Sequence, residues 1–312
     1  MSIENNSAPA ASPVLVVGSV AFDSIRTAKA ESGKILGGSA TYGAIASSYF
    51  APTRIVGVVG TDFGEAEIGR LRDRGIDLEG LQIDQSGETF FWAGVYSDDF
   101  SSRETLETRL NVFADFKPTL PESYRRTPYV LLGNIQPSLQ AMVLDQLEPG
   151  SFTVADTMNL WIEIARDALM DLLPRIDLFI LNDEEAEQLT GESNVFNAGP
   201  KLLEAGPEIV LIKKGAHGAV LFHPEGLFAL PVYPVREIAD PTGAGDSFAG
   251  ALVGYLAAAG RHDFATLRKA CAYATVTASL TVEALGVDGL EKAGRAEIDR
   301  RLDELLAMTQ IR

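Results

Sequence analysis

Asp240-Pro241-Thr242-Gly243-Ala244-Gly245-Asp246, followed by the apolar run 247–260, decides how this 312-residue chain is read. Gly243 and Gly245 free the backbone for a tight turn, and a turn that opens a helix leaves several N–H groups unpaired and pointing outward. Such a turn is an anion site: oriented amides and the positive end of the helix dipole suit a phosphate or a developing phosphoryl charge. Asp246 falls in the first helical turn, where the dipole favours its ionised form. A carboxylate beside an anion hole suggests phosphoryl transfer, with Asp246 accepting a proton from an attacking hydroxyl. The plainer alternative is a loop before a core helix, with Asp246 as a cap.

Composition limits the rest. With 46% hydrophobic residues the chain has material for a large core. Residues 1–13 are rich in Ser, Ala, Asn and Pro and lack the basic start and apolar run of a secretory signal, so they are expected to form a disordered leader before a single domain, 14–312. No apolar run is long enough for a membrane span. A formal charge of −17 repels nucleic acid and anionic lipid, and it requires that any polyanionic ligand be met by local donors and a metal ion. Cys271 is the single cysteine, which excludes an internal disulfide and fits a reducing cytoplasm. His217, His223 and His262 are scattered, so no zinc site is expected.

Outward from the signature, the pattern is α/β. Residues 14–18 and 53–59 read as buried strands, and 65–74 as an amphipathic helix. From 129 onward strands (129–132, 152–155, 177–181, 208–214, 219–222) alternate with helices (138–147, 161–172), as in a parallel sheet covered on both faces. Helices over 264–285 and 296–308 close the chain. Ligands bind at the carboxyl edge of such sheets. Several residues should reach that edge. Asp23 follows the first strand at a strand-to-loop exit, and Asn134 and Asp156 lie just past strand ends. Asn182 and Glu185 sit where a strand gives way to a helix, a place where a cap with first-turn acids looks the same. Gly37 and Gly38 precede a helix opened by Ser39 or Thr41, allowing a small ligand close to the backbone or merely a packing turn. Residues 89–96 are dense in aromatics (Phe90, Phe91, Trp92, Tyr96) and have strand propensity. The segment after them is polar and carries Arg103, a candidate for a substrate or phosphate contact.

The string 240–246 resembles the C-terminal signature of the ribokinase-like, or PfkB-type, family of sugar and nucleoside kinases. Gly18-Ser19-Val20-Ala21-Phe22-Asp23 and Leu36-Gly37-Gly38 resemble its N-terminal motifs, Asn182-x-x-Glu185 its magnesium and phosphate motif, and Lys213 to Gly218 its nucleotide-contacting strand and turn. The matches run from about 14 to 286 in the same order. The resemblance implies a three-layer α/β/α core with a mostly parallel central sheet and a small β-sheet lid, inserted near 20–36 and 85–115. It implies an ATP-dependent kinase that uses Mg²⁺ and phosphorylates a hydroxyl, most simply a primary one, of a sugar or polyol. A nucleoside acceptor stays open, as does a non-catalytic sensor of a metabolite or nucleotide. Asp23, Gly37, Gly38, Tyr42 and Asn134 would bind the acceptor. Gly243, Ala244, Gly245 and Asp246 would carry the chemistry, and Asn182, Lys213, Gly215, Gly218 and Thr242 the nucleotide. Glu185 would act on the metal through water.

Two positions depart from the pattern. Tyr42 stands where the family has an Asn that contacts sugar hydroxyls, and a phenol cannot reproduce two-sided amide hydrogen bonding. Ordinary ribose recognition is therefore not implied. Lys213 stands where Ser or Thr is frequent, and its ammonium would suit a phosphate. Other phosphate folds fit less well: Gly-x-x-x-x-Gly-Lys-Ser/Thr is absent, and the Gly-Ala-Gly of a dinucleotide fold would come early in the chain. A lid sheet with exposed edges leaves a homodimer open.

Overall fold

Every residue of the strand Val14–Val17 is fully buried, because it lies inside a sheet both of whose faces are covered. The computed structural model describes residues 11–98, 100 and 102–310. Most of the expected leader lies outside them. Of its last residues, Ala11 packs on the core and the Ser12 amide donates to the Ala257 carbonyl at 3.1 Å, so the ordered chain begins earlier than residue 14.

In chain order the strands are β1 (Val14–Val17), β2 (Ala21–Arg26), β3 (Ile35–Gly37), β4 (Thr53–Val59), β5 (Asp77–Ile83), β6 (Phe90–Tyr96) and β7 (Arg103–Arg109). They continue with β8 (Tyr129–Leu132), β9 (Phe152–Asp156), β10 (Leu178–Asn182), β11 (Ile209–Lys213), β12 (Ala219–His223) and β13 (Gly226–Leu230). Nine of them form one sheet in the order β13-β12-β11-β10-β9-β8-β1-β4-β5. From β5 to β11 all neighbours are parallel, and β12 and β13 add an antiparallel edge. The parallel strands therefore deliver Gly18, Gly133, Asp156, Asn182 and Lys213 to the same edge. A separate small sheet has the order β3-β2-β6-β7.

Alternation along β1 separates two apolar layers. Val14 and Val16 face the layer that holds helices Ser39–Ser48, Ala244–Ala259, Phe264–Thr281 and Arg295–Thr309. Leu15 and Val17 face the layer under helices Pro137–Leu144, Asp183–Thr190 and Val195–Glu204. The result is the three-layer α/β/α core expected from the resemblance.

Several local expectations are corrected. The helix read over 161–172 is two, Asn159–Ile164 and Arg166–Leu172, broken at Ala165 (φ −138°, ψ 30°), so that Ile162, Leu169 and Leu172 all reach the same core. Asp23 lies inside β2, paired with Ile35 and opposite Trp92, rather than at a loop exit. The polar segment after Tyr96 contains β7, whose residues are all exposed and whose strand character comes from pairing with β6.

Helices Ser39–Ser48 and Ala244–Ala259 touch through glycine. A Cβ on Gly250 would lie 2.1 Å from the Gly43 carbonyl oxygen, an atom that cannot swing away. Gly250→Val is expected to destabilise by about 1–3 kcal/mol, the usual range for overpacking. A urea midpoint equal to wild type would contradict this contact.

Candidate active site

The turn 240–246 is fixed from inside by Asp240. Its Oδ1 accepts from the Thr242 amide at 2.9 Å and its Oδ2 from the Gly286 amide at 3.1 Å, and the side chain is fully buried. Gly243 follows at φ +74°, a left-handed value that glycine tolerates, and the helix starts at Ala244. The Ala244 amide donates back to Pro241 O at 3.2 Å, so it is turned away from the anion hole. No backbone carbonyl among the described residues accepts from the amides of Gly243, Gly245 or Asp246. Gly245 serves differently from its sequence reading: it is helical, and a Cβ there would come to 3.0 Å from the Lys213 ammonium. Its value is close approach, not the turn.

Lys213, at the end of β11, pairs with both oxygens of Asp156 at 3.1 Å. Burial works against its charge, but Asp156, Glu185 and Asp246 together outweigh burial and raise its pKa. Asn182 and Glu185 form a reciprocal cap on helix Asp183–Thr190: the Asn182 amide N–H donates to Glu185 Oε2 and the Glu185 N–H to Asn182 Oδ1, both at 2.7 Å. The capping alternative is thus realised, yet Glu185 is also brought to the site. Burial pushes its carboxyl up to about 7 against the pull of Lys213. Gly215 and Gly218 flank a short turn between β11 and β12, both with positive φ.

On the opposite side, Asp23 projects from β2, 4% exposed, and its carboxylate fills the space that a side chain on Gly37 would need: Oδ2 lies 2.0 Å from where that Cβ would stand. Burial, then the charges of Asp240 and Asp246, push Asp23 up to about 8, with the Gly38 amide and Arg103 opposing. Gly38 has φ +95° and precedes helix Ser39–Ser48. Asp246, partly open to solvent, is raised to about 7 by burial and Asp156, against Lys213, its own amide and Arg103. Tyr42 is 1% exposed. Its ring lies flat against Gly243, where a Cβ would meet ring carbons at 2.4 Å. Its hydroxyl is buried without a hydrogen-bond partner among the described residues. Asn134 reaches the same edge, but its Oδ1 accepts from Trp161 Nε1 at 2.8 Å, which fixes the side chain.

The sequence reading missed two connections. Tyr96, named there only as an aromatic, shares a 2.9 Å hydrogen bond with Thr242, joining the small sheet to the turn. Asp240 as the staple of the turn was also missed, although Asp-Pro-Thr is a sequence in which the Asp side chain caps the residue two positions on. Arg103, beside Tyr96 and over the Trp92 ring at 5.3 Å, lowers the pKa of both Asp23 and Asp246.

Fold and site together define a phosphotransferase of the three-layer α/β class. Comparison with known proteins gives the family. Residues 144–293 match the model of the pfkB family carbohydrate kinases. The chain is 30% identical over 251 residues to a cytidine kinase of Thermococcus kodakarensis, covering 78% of this chain and 88% of that one. Its fold is similar to that of Arabidopsis thaliana ribokinase complexed with ribose and ATP (TM-score 0.76, 21% identity, 94% of this chain and 99% of that one). It is similar also to that of a Burkholderia thailandensis nucleoside kinase in complex with inosine (TM-score 0.75, 19% identity, 94% and 99%). The chain belongs to the PfkB family of ribokinase-like kinases, and it is an ATP-dependent phosphotransferase with a hydroxyl acceptor on a sugar or nucleoside. No helix among the described residues is long and apolar enough to cross a membrane.

The raised carboxyls set a sign for stability. Asp23, Glu185 and Asp246 hold protons in the folded chain that they release when unfolded, from about pH 4 up to their folded values of about 8, 7 and 7. Their contribution to stability therefore falls as pH rises through that window. The ligand-free protein should melt lower at pH 8 than at pH 6, and Asp23→Asn should reduce that difference. A slope unchanged in the variant would show that Asp23 does not titrate there.

Proposed function

We propose that the protein transfers the γ-phosphoryl group of ATP to a primary hydroxyl of a small sugar or polyol, with Asp246 taking the hydroxyl proton. The observation that carries this reading is that the start of helix Ala244–Ala259, with Asp246 in its first turn, stands against the Lys213 ammonium at Gly245 and is tied through Thr242 to β6, the strand opposite Asp23. Two carboxylates from opposite ends of the chain share one site, one in the first turn of a helix and one on the small sheet. In this reading Asp23 and the amide nitrogen of Asn134 hold acceptor hydroxyls, Gly37 and Gly38 allow the acceptor close to the backbone, and Tyr42 forms the pocket floor. The amides of Gly243, Gly245 and Asp246 meet charge on the phosphoryl group. Lys213, Gly215, Gly218 and Thr242 face the nucleotide.

The donor set fits a nucleotide phosphate and a hydrated metal ion. The amides of Gly243 and Gly245, with no backbone acceptor among the described residues, and the Lys213 ammonium suit anionic oxygens, and Glu185, with one oxygen held by the Asn182 amide, has its other oxygen for metal-bound water. Magnesium would supply charge neutralisation between the nucleotide phosphates. The small sheet acts as a lid that keeps water from the site. Exposed β7 is the free edge of that lid and the place for a homodimer contact. The buried single Cys271 supports a cytoplasmic setting.

A nucleoside acceptor is the second reading, favoured by the likeness to a cytidine kinase and by the aromatic face of Trp92 and Tyr96, on which a base would stack. ADP release with Mg-ATP across hexoses, pentoses, cyclitols, sugar acids and nucleosides separates the two.

Asp246→Asn should lower kcat by roughly 10²- to 10⁴-fold, the worth of a positioned base. With the Asp246 carboxyl near 7, activity should rise with pH up to about 7 and then level off, because only the ionised form accepts the proton. A variant retaining more than about one-tenth of wild-type kcat removes Asp246 from this role.

A further inference from the structure

Tyr96 and Thr242 belong to different parts of the molecule. Tyr96 is the last residue of β6 in the small sheet, and Thr242 directly precedes Gly243 in the turn that opens helix Ala244–Ala259. Their hydroxyls lie 2.9 Å apart. The Thr242 side chain also bonds Asp240, whose Oδ1 separately accepts from the Thr242 amide, and the Tyr96 hydroxyl also bonds Arg103, its neighbour on β7. The register of the small sheet explains why Tyr96 points there. Asp23 pairs with Trp92 across parallel β2 and β6, so Trp92, Gly94 and Tyr96 share the Asp23 face. Arg103 is the register partner of Tyr96 on β7 and lies over Trp92 from that same face. Thus the face of the small sheet that presents Asp23 also presents the hydroxyl that grips the turn. Tyr42 braces Gly243 from the other side with its ring.

We infer that Tyr96 is a positioning residue that, through Thr242, couples the seating of the small sheet over the acceptor to the placement of the phosphoryl-binding turn. The inference rests on the reading of 240–246 as the phosphoryl site. It gives the hydrogen bond a consequence beyond packing. A sheet lifted away, as it must be for an acceptor to enter, releases Thr242, and the turn beside it loses one of its external supports. A sheet seated over the acceptor restores both, so the amides and Asp246 are aligned when a hydroxyl is present to be phosphorylated. Phosphoryl transfer depends chiefly on such alignment.

The test uses Tyr96→Phe, Thr242→Val and the double variant in the full chain, read by hydrogen exchange with saturating Mg-ATP. Tyr96→Phe keeps the ring and its packing but also removes the Arg103 contact, and Thr242→Val keeps the shape and the amide bond to Asp240 but also removes the hydroxyl's contact with Asp240. Tyr96→Phe is expected to speed exchange in 240–246 about fivefold, the weight of one neutral hydrogen bond. Thr242→Val is expected to do the same in 90–96, the double variant to go no further than either single, and strand 53–59 to stay unchanged. With any acceptor phosphorylated by wild type, Tyr96→Phe lowers kcat about fivefold at constant KM for ATP, and the double variant lowers kcat no further than Thr242→Val alone. Additive effects, or wild-type exchange in 240–246 for Tyr96→Phe, overturn the inference. Exchange needs no turnover, so a panel in which every acceptor fails would count against the acceptor reading and leave this result to be judged on its own.

Discussion

Burial of carboxylates at one edge of the sheet is the constraint to which this structure answers. Asp23, Asp156, Glu185, Asp240 and Asp246 converge there in a chain that is already strongly acidic, and a buried carboxylate without partners either draws hydrogen bonds or holds a proton. The five are answered unequally. Asp240 has a backbone amide on each oxygen, and Asp156 has both oxygens on Lys213 and a further contact from the Thr157 amide at 3.1 Å. Glu185 has the Asn182 amide on one oxygen. Asp23 and Asp246 face each other across the space between the small sheet and the helix start, opposed chiefly by amides and by Lys213 or Arg103. The best-partnered pair serves as framework, while the remaining three are less fully partnered.

The same logic applies to Tyr42. A phenol hydroxyl buried without a partner costs about 1–3 kcal/mol relative to one that is satisfied. The ring itself has a definite use in covering Gly243, where it leaves no room for a side chain. The position therefore mixes a structural role, supporting the turn, with an unsatisfied polar group among Asp23, Asp240 and Asp246. An amide at this position would be too small to brace Gly243 in the same way. The departure from the family pattern thus changes the floor of the anion site as well as the acceptor side.

What could be read from the sequence follows from where the determining interactions lie. The parallel core was legible because β1, β4, β8, β10 and β11 are short apolar runs, and burial on both faces leaves no other composition for them. The turn at 240–246 was legible because glycine and the following helix act locally. Strand β5 was not, since it carries exposed Asp77 and Glu79 at the sheet edge and is held as a strand by β4. Helix Val195–Glu204 escaped notice because it contains Gly199 and Pro200, yet its buried face is made by Val195, Ala198 and Leu202. At the carboxyl edge, the sequence named several residues that the fold brings together, but not their partners. Nothing local in Asn134 points to Trp161, or in Tyr96 to Thr242, because the sheet register and the crossing of helix Ala244–Ala259 decide those pairs.

Net charge gives the arrangement its direction. A chain of formal charge −17 gains little from long-range attraction for a polyphosphate, so affinity must come from groups held at the point of contact. Lys213 is held there by Asp156, and the helix amides are held there by Asp240 and Gly243, so their positive ends are fixed before any ligand arrives. Arg103 differs. It comes from the small sheet, and its influence on Asp23 and Asp246 exists only while that sheet is seated. The cationic character of the site is thus divided between a permanent part on the core and a conditional part on the sheet. In the proposed reading, an acceptor that brought the sheet down would complete the charge pattern that a transferring phosphoryl group requires.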